Sequence, residues 1–228
     1  MSITILLIFI TVIISILTWR NAYLFDNMRF NASQVVYGKE YYRLFTYGFL
    51  HGNWGHLFIN MFVLWMFGRL VEDAYAYWWG MKGIVLFLFF YLTAIVISTL
   101  SDVKKQKENY SYSAVGASGA VSAIVFASIL IYPLQKIYIF FIPIGIPAFI
   151  FGILYLLYST YMSKKQMDNI GHDTHFWGSV YGFLFTILFK KSLIVSFFVQ
   201  ILQVFKNWIN TTQTILLSNW ANNSTIVG

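Results

Sequence analysis

Cysteine is absent from the 228 residues and charge is scarce: 10% of the chain is Asp, Glu, Lys or Arg, with eight acids against fifteen bases. Without cysteine there is no disulfide framework, no thiolate metal site and no cysteine nucleophile, so any chemistry falls to Ser, His, Asp, Glu, Asn or Tyr. A water-soluble domain of this size keeps about a quarter of its residues charged to cover its surface. The shortage excludes an ordinary soluble enzyme, a disordered tail and a nucleic-acid arm. Also missing are the His-Glu-x-x-His pattern of zinc proteases and the glycine spacing of a phosphate loop, so no metal, nucleotide or organic cofactor is expected. What is present is 59% hydrophobic residues, 21% aromatic residues and a mean hydropathy of +0.68. That is the composition of a membrane protein. The net charge of +7 and pI near 9.5 suit loops lying against anionic headgroups, with no nucleic acid implied.

Crossing about 30 Å of hydrocarbon takes roughly 20 helical residues. Six apolar runs approach that length, at 3–19, 56–70, 83–100, 115–132, 144–162 and 175–189. They predict an all-α, polytopic membrane bundle over 1–190. The first run has no basic start and no small-residue cleavage site before Arg20, and reads as an anchor. The connection 20–55 is too aromatic for a solvated loop, and is expected to be embedded and packed against the helices. After Lys190 and Lys191, a polar stripe of Ser192, Ser196, Gln200, Gln203 and Asn207 recurs at helical spacing, predicting an interfacial helix over 191–209, with a seventh span as the alternative if Trp208 and Ile209 extend it. Residues 210–228 read as a polar tail.

Polar side chains inside apolar runs carry the information, because each costs a few kcal/mol in hydrocarbon unless it has a partner or a wet cavity. All four histidines, His51, His56, His172 and His175, fall in or just before two runs, at one end if the runs alternate in direction. His56 and Asn60 lie a turn apart on one helix face, where they either converge as donors on one oxygen or simply glue two helices. Ser118, in Gly116-Ala117-Ser118-Gly119, stands at a helix start, where free N–H groups favour a developing anion. Intramembrane serines also commonly bond back to their own helix. His175 is followed by Gly178 and Gly182, a close-packing seam, and the stripe Gly116, Ala120, Ala123 and Ala127 offers a matching face. Close approach of those helices would let Ser118 reach His175.

These motifs resemble the rhomboid intramembrane serine proteases. The family's Gly-x-Ser-Gly appears as 116–119, its His-x-x-Gly-x-x-x-Gly as 175–182, and its His-x-x-x-Asn as 56–60. The resemblance implies a six-helix fold with Ser118 as nucleophile, His175 as base, and His56, Asn60 and the backbone at Ser118 and Gly119 stabilising the oxyanion. It also assigns supporting roles to Arg43 in the first loop, His51, Glu72 in Gly-x-x-x-Glu with Gly68, Gly178 and Gly182. Tyr42 replaces the tryptophan of the family's Trp-Arg signature. Ser122 stands where many members place an aromatic ring on the histidine, so either something else orients His175 or the ring is held less firmly. His172 matches no catalytic position and is expected at a loop or interface contact.

The resemblance thus implies a serine endopeptidase that cleaves membrane-protein substrates within the lipid bilayer. The implied placement is a bacterial inner membrane with both termini cytoplasmic. That orientation puts six Lys and Arg inside and nine outside, against the positive-inside rule, although four of the nine lie in the first loop. Two rivals predict tolerance of Ser118→Ala: a catalytically silent client-binding relative, and a transporter with histidines along an ion path, for which intramembrane Asp and Glu are scarce.

Overall fold

A computed structural model describes residues 2–138, 144–165 and 171–224, with side chains except at 208 and 217–224. The first helix, α1 (Ile3–Trp19), has no side-chain cap of its own. Its N-terminus is capped from a distance. Glu72 accepts hydrogen bonds from Ser2 Oγ (2.6 Å), Ile3 N (2.7 Å) and Thr4 N (2.9 Å), three donors at the helix start.

The connection to the next long helix is folded, as its aromatic content predicts. It holds α2 (Ala22–Met28), α3 (Ala32–Val36) and α4 (Arg43–Thr46), the last running into a 3-10 turn at Tyr47–Phe49. Asn21 and Asn31 cap α2 and α3 through their side chains, each at 3.0 Å. Phe30, Ala32, Val35, Tyr47, Phe49 and Leu50 are buried among the helices.

Two 26-residue helices follow, α5 (Trp54–Trp79) and α6 (Met81–Gln106), broken apart at Gly80 with φ +59°. Then come α7 (Ser118–Ile131), a small hairpin of β1 (Lys136–Tyr138) and β2 (Gly145–Pro147), α8 (Ala148–Lys165), α9 (His172–Phe189) and α10 (Ser192–Ser224). At the centre is α7. Every residue from Gly119 to Ile131 is buried, and α5, α6, α8, α9 and α10 pack around it. Its 14 residues span about 21 Å at 1.5 Å per residue, against about 39 Å for α5 and α6, so it stops short of its neighbours' ends.

Each of the six expected runs carries a helix, with three corrections. The run 115–132 becomes helical only at Ser118, because Gly116 takes φ +125°, a conformation outside any helix. The run 144–162 starts at Ala148, since 145–147 pair with β1 in a hairpin that an all-α reading leaves out. The last helix runs to Ser224, past 209 and into the segment 210–228 expected as a tail, of which 225–228 lie outside the described residues. Among the described helices, Trp54–Trp79, Met81–Gln106 and Ser192–Leu216 are long and apolar enough to cross a membrane, and Ile3–Trp19 and Ser118–Ile131 are apolar but shorter.

Candidate active site

The segment leading into Ser118 is held by the first loop. Phe30 and Ala114 exchange backbone hydrogen bonds (3.0 and 3.1 Å), and Gly116 N donates to the Tyr47 carbonyl (3.0 Å). Tyr47 is itself buried, its hydroxyl donating to the Ile95 carbonyl on α6 at 2.8 Å. Arg43 ties the loop together. Its guanidinium donates to the Asp26 and Arg29 carbonyls (2.7 and 2.9 Å) and pairs with Glu40, and it lies 5.5 Å from the centre of the Tyr42 ring. An aromatic ring therefore remains beside this arginine although tryptophan is absent.

Ser118 is the first residue of α7. Asn53 caps α5 through its side chain, as Asn21 and Asn31 do for α2 and α3, but Ala117 gives α7 no side-chain acceptor. The first-turn N–H groups of α7 are thus left with the positive end of the helix dipole uncapped, an arrangement that favours an anion.

The four histidines form two pairs. His51 and His56 have ring centroids 4.9 Å apart, and a Cβ on Gly116 would lie 2.7 Å from His56 Cε1, so only glycine lets His56 approach. His51 is fully buried, its Nδ1 is 3.1 Å from Ser15 Oγ, and its carbonyl accepts from Trp19 Nε1. Burial, helped by the neighbouring His56, pushes His51 down to about 3, which keeps it neutral. Asn60 is buried and its amide donates to the His56 carbonyl at 2.9 Å, so its orientation is set within its own helix.

In the second pair, His172 and His175 lie 6.1 Å apart in the first turn of α9. His172, expected at a loop or interface contact, is buried and packs edge-on against Tyr158 of α8. The expected glycine seam exists with a shifted partner set. A Cβ on Gly178 would lie 2.1 Å from the Gly119 carbonyl oxygen, and one on Gly182 would lie 2.0 Å from that of Ala123. Gly119, not Ala120, is therefore the second contact, because 119 and 123 sit one turn apart just as 178 and 182 do. Gly119 is also walled by Ser98 and Thr174. Both helices run the same way along the seam, so Ser118 and His175 stand at the same end of adjoining helices.

Thr174, beside His175, donates to the buried Asp102 (2.8 Å), which also accepts from Tyr112 (3.1 Å), and Asp173 holds Lys105 and Ser163, each at 2.7 Å. These contacts pin the start of α9 to α6 and α8. Sequence reasoning missed Asp102, and it missed Tyr155, whose ring stacks on His175. The only signal for Tyr155 was indirect: a serine at 122, where an aromatic ring was expected.

The family model described as Rhomboid domain matches residues 38–192, more than half of the chain. The rhomboid-like protein 11, chloroplastic, of Arabidopsis thaliana is 35% identical over 91 residues, which are 40% of this chain and 29% of that protein. The chain thus matches less than a third of that relative's length.

Proposed function

The chain belongs to the rhomboid family, and we propose that it is an integral-membrane serine endopeptidase cutting membrane-protein substrates within the bilayer. Ser118 Oγ attacks the scissile carbonyl while an imidazole nitrogen of His175 takes its proton. The developing oxyanion is met by the backbone N–H groups of Ser118 and Gly119, with His56 and Asn60 contributing side-chain donors. Collapse of the tetrahedral intermediate returns the proton from His175 to the leaving amine, and water repeats the sequence on the acyl-enzyme.

The observation that carries this reading is the seam of Gly178 and Gly182 on Gly119 and Ala123, which draws the two helix starts together at backbone contact. The uncapped first turn of α7 and the glycine beneath His56 support the oxyanion assignment. His51 and Arg43 act as supports, through the His56 ring and the first loop, and Glu72 through α1. The membrane is taken to be a bacterial inner membrane with both termini cytoplasmic. The helix α10 lies along its surface, because crossing would carry the exposed Lys206 and the polar stripe into hydrocarbon.

Fluorophosphonate labelling of the detergent-purified protein tests the reading without knowledge of a substrate. Labelling of the wild type, abolished in Ser118→Ala and His175→Ala, is the expected result. A folded wild type that takes no label and leaves a transmembrane reporter peptide uncut would point to client binding without cleavage.

A further inference from the structure

The base of the proposed dyad needs a wall. Catalysis by a histidine depends on the ring being held at the nucleophile, and small misplacements are costly in rate. In this chain the residue one turn after Ser118 is Ser122, too small to reach His175 as a wall, and it is buried. The space is approached from another helix. Tyr155 of α8 stacks on His175 with ring centroids 6.4 Å apart and planes 27° from parallel, within the range of aromatic pairs. Its hydroxyl shares a 2.8 Å hydrogen bond with Ser122 Oγ. The ring is boxed further by Phe126 of α7 and Phe151 of α8, each with its centroid 5.8 Å away.

We propose that Tyr155 is the positioning residue for His175, and that Ser122 is the latch that holds it there. The assignment rests on the Ser118 and His175 reading above. Two features make the pair more than packing. Among the described residues of α8 only Ala148, Gly152 and Ser159 are buried, so the helix is lightly held and the hydroxyl pair ties its middle to the nucleophile helix. The same stretch of α8 also sets Tyr158 against His172, so two tyrosines one turn apart face the two histidines of α9. Displacement of α8 therefore takes the ring off the base. Neither Tyr155 nor Ser122 belongs to the proposed dyad or to the oxyanion donors, and each acts only through the orientation of His175.

The test compares wild type, Ser118→Ala, Tyr155→Phe, Tyr155→Leu and Ser122→Ala as full-length protein in detergent. The readouts are kcat and KM on a transmembrane reporter peptide, fluorophosphonate labelling rate and thermal midpoint. Tyr155→Leu is expected to lower kcat and labelling rate about tenfold with KM within about twofold. Tyr155→Phe and Ser122→Ala each keep the ring but break the same hydroxyl pair, and both are expected to fall about threefold. Tyr155→Ala combined with Ser122→Tyr, which delivers a ring from α7 instead, is expected to recover most of the loss. Wild-type kcat and labelling in Tyr155→Leu at an unchanged thermal midpoint overturns the proposal. If Tyr155→Leu does not fold, Ser122→Ala decides: an unchanged labelling rate overturns it. A wild type with no Ser118-dependent labelling fails the protease reading instead. The contact is then judged by NMR of the His175 ring protons, which are expected upfield in wild type and shifted downfield in Tyr155→Leu, with no shift overturning it.

Discussion

Gly178 meets the backbone of Gly119 so closely that a single methyl group on it would lie 2.1 Å from the Gly119 carbonyl oxygen, and Gly182 repeats the contact at 2.0 Å on Ala123. The obstacle is backbone, which cannot rotate away. Gly178→Ala and Gly182→Ala are each expected to push α9 off α7, at an overpacking cost of about 1–3 kcal/mol. Reporter cleavage should fall by about a hundredfold as His175 leaves Ser118. Gly52→Ala, whose added methyl meets its nearest neighbour at 4.0 Å, is the control and should match wild type. Cleavage assays on the three purified variants check this.

Glu72 caps a helix nearly seventy residues away in sequence. Glu72→Gln keeps the shape but replaces one acceptor oxygen with a donor facing the N–H groups of Ile3 and Thr4. Hydrogen bonds to charged groups are worth about 1.5–3 kcal/mol, so a loss of that order is expected. The thermal midpoint in detergent should drop, while kcat per folded molecule stays near the wild-type value. A large kcat change at constant midpoint would tie Glu72 to the chemistry instead.

The buried His51 gives stability a pH dependence with a definite sign. Its pKa is 6.5 when unperturbed and about 3 in the fold. Above 6.5 the ring is neutral in both states and the fold has its full stability. As pH falls from 6.5 toward 3, the unfolded chain takes up a proton that the native site refuses, so stability declines through that window. Thermal midpoints measured from pH 7.5 down to 4 should fall, and His51→Gln, which cannot titrate, should flatten the slope.

The placement of α10 is testable because the chain has no cysteine. Single Ser192→Cys and Thr214→Cys variants, 22 residues or about 33 Å apart along the helix, report its two ends. With α10 on the membrane surface, a membrane-impermeant maleimide applied to oriented vesicles should label both from the same side. Labelling from opposite sides would make α10 a membrane span.

The candidate site was legible in the sequence to the extent that its parts are local. Ser118 among glycines, His56 a turn from Asn60, and His175 a turn from Gly178 are spacings within one helix, and helical periodicity shows them directly. The partner of each was not local. The small-residue stripe pointed to Ala123 correctly but to Ala120 where Gly119 makes the contact, since periodicity shows a face and not the register at which two faces meet. The start of α7 was placed three residues early because hydropathy does not see the positive φ of Gly116. The hairpin before Ala148 was lost for a similar reason: an apolar run of that length reads alike as helix or strand.

Composition determined the membrane class and the exclusion of thiol chemistry, and residue spacing determined the motifs and their order, because these depend only on which residues are present and where they stand along the chain. Tertiary structure alone decided that Glu72 caps α1, that the first loop carries Gly116 to His56, that Asp102 pins the start of α9 and that Tyr155 walls His175. Each of those joins residues from different helices or loops. Their meeting is set by how side-chain volumes and backbone approaches close the bundle, which is a property of the packed whole and of no single segment.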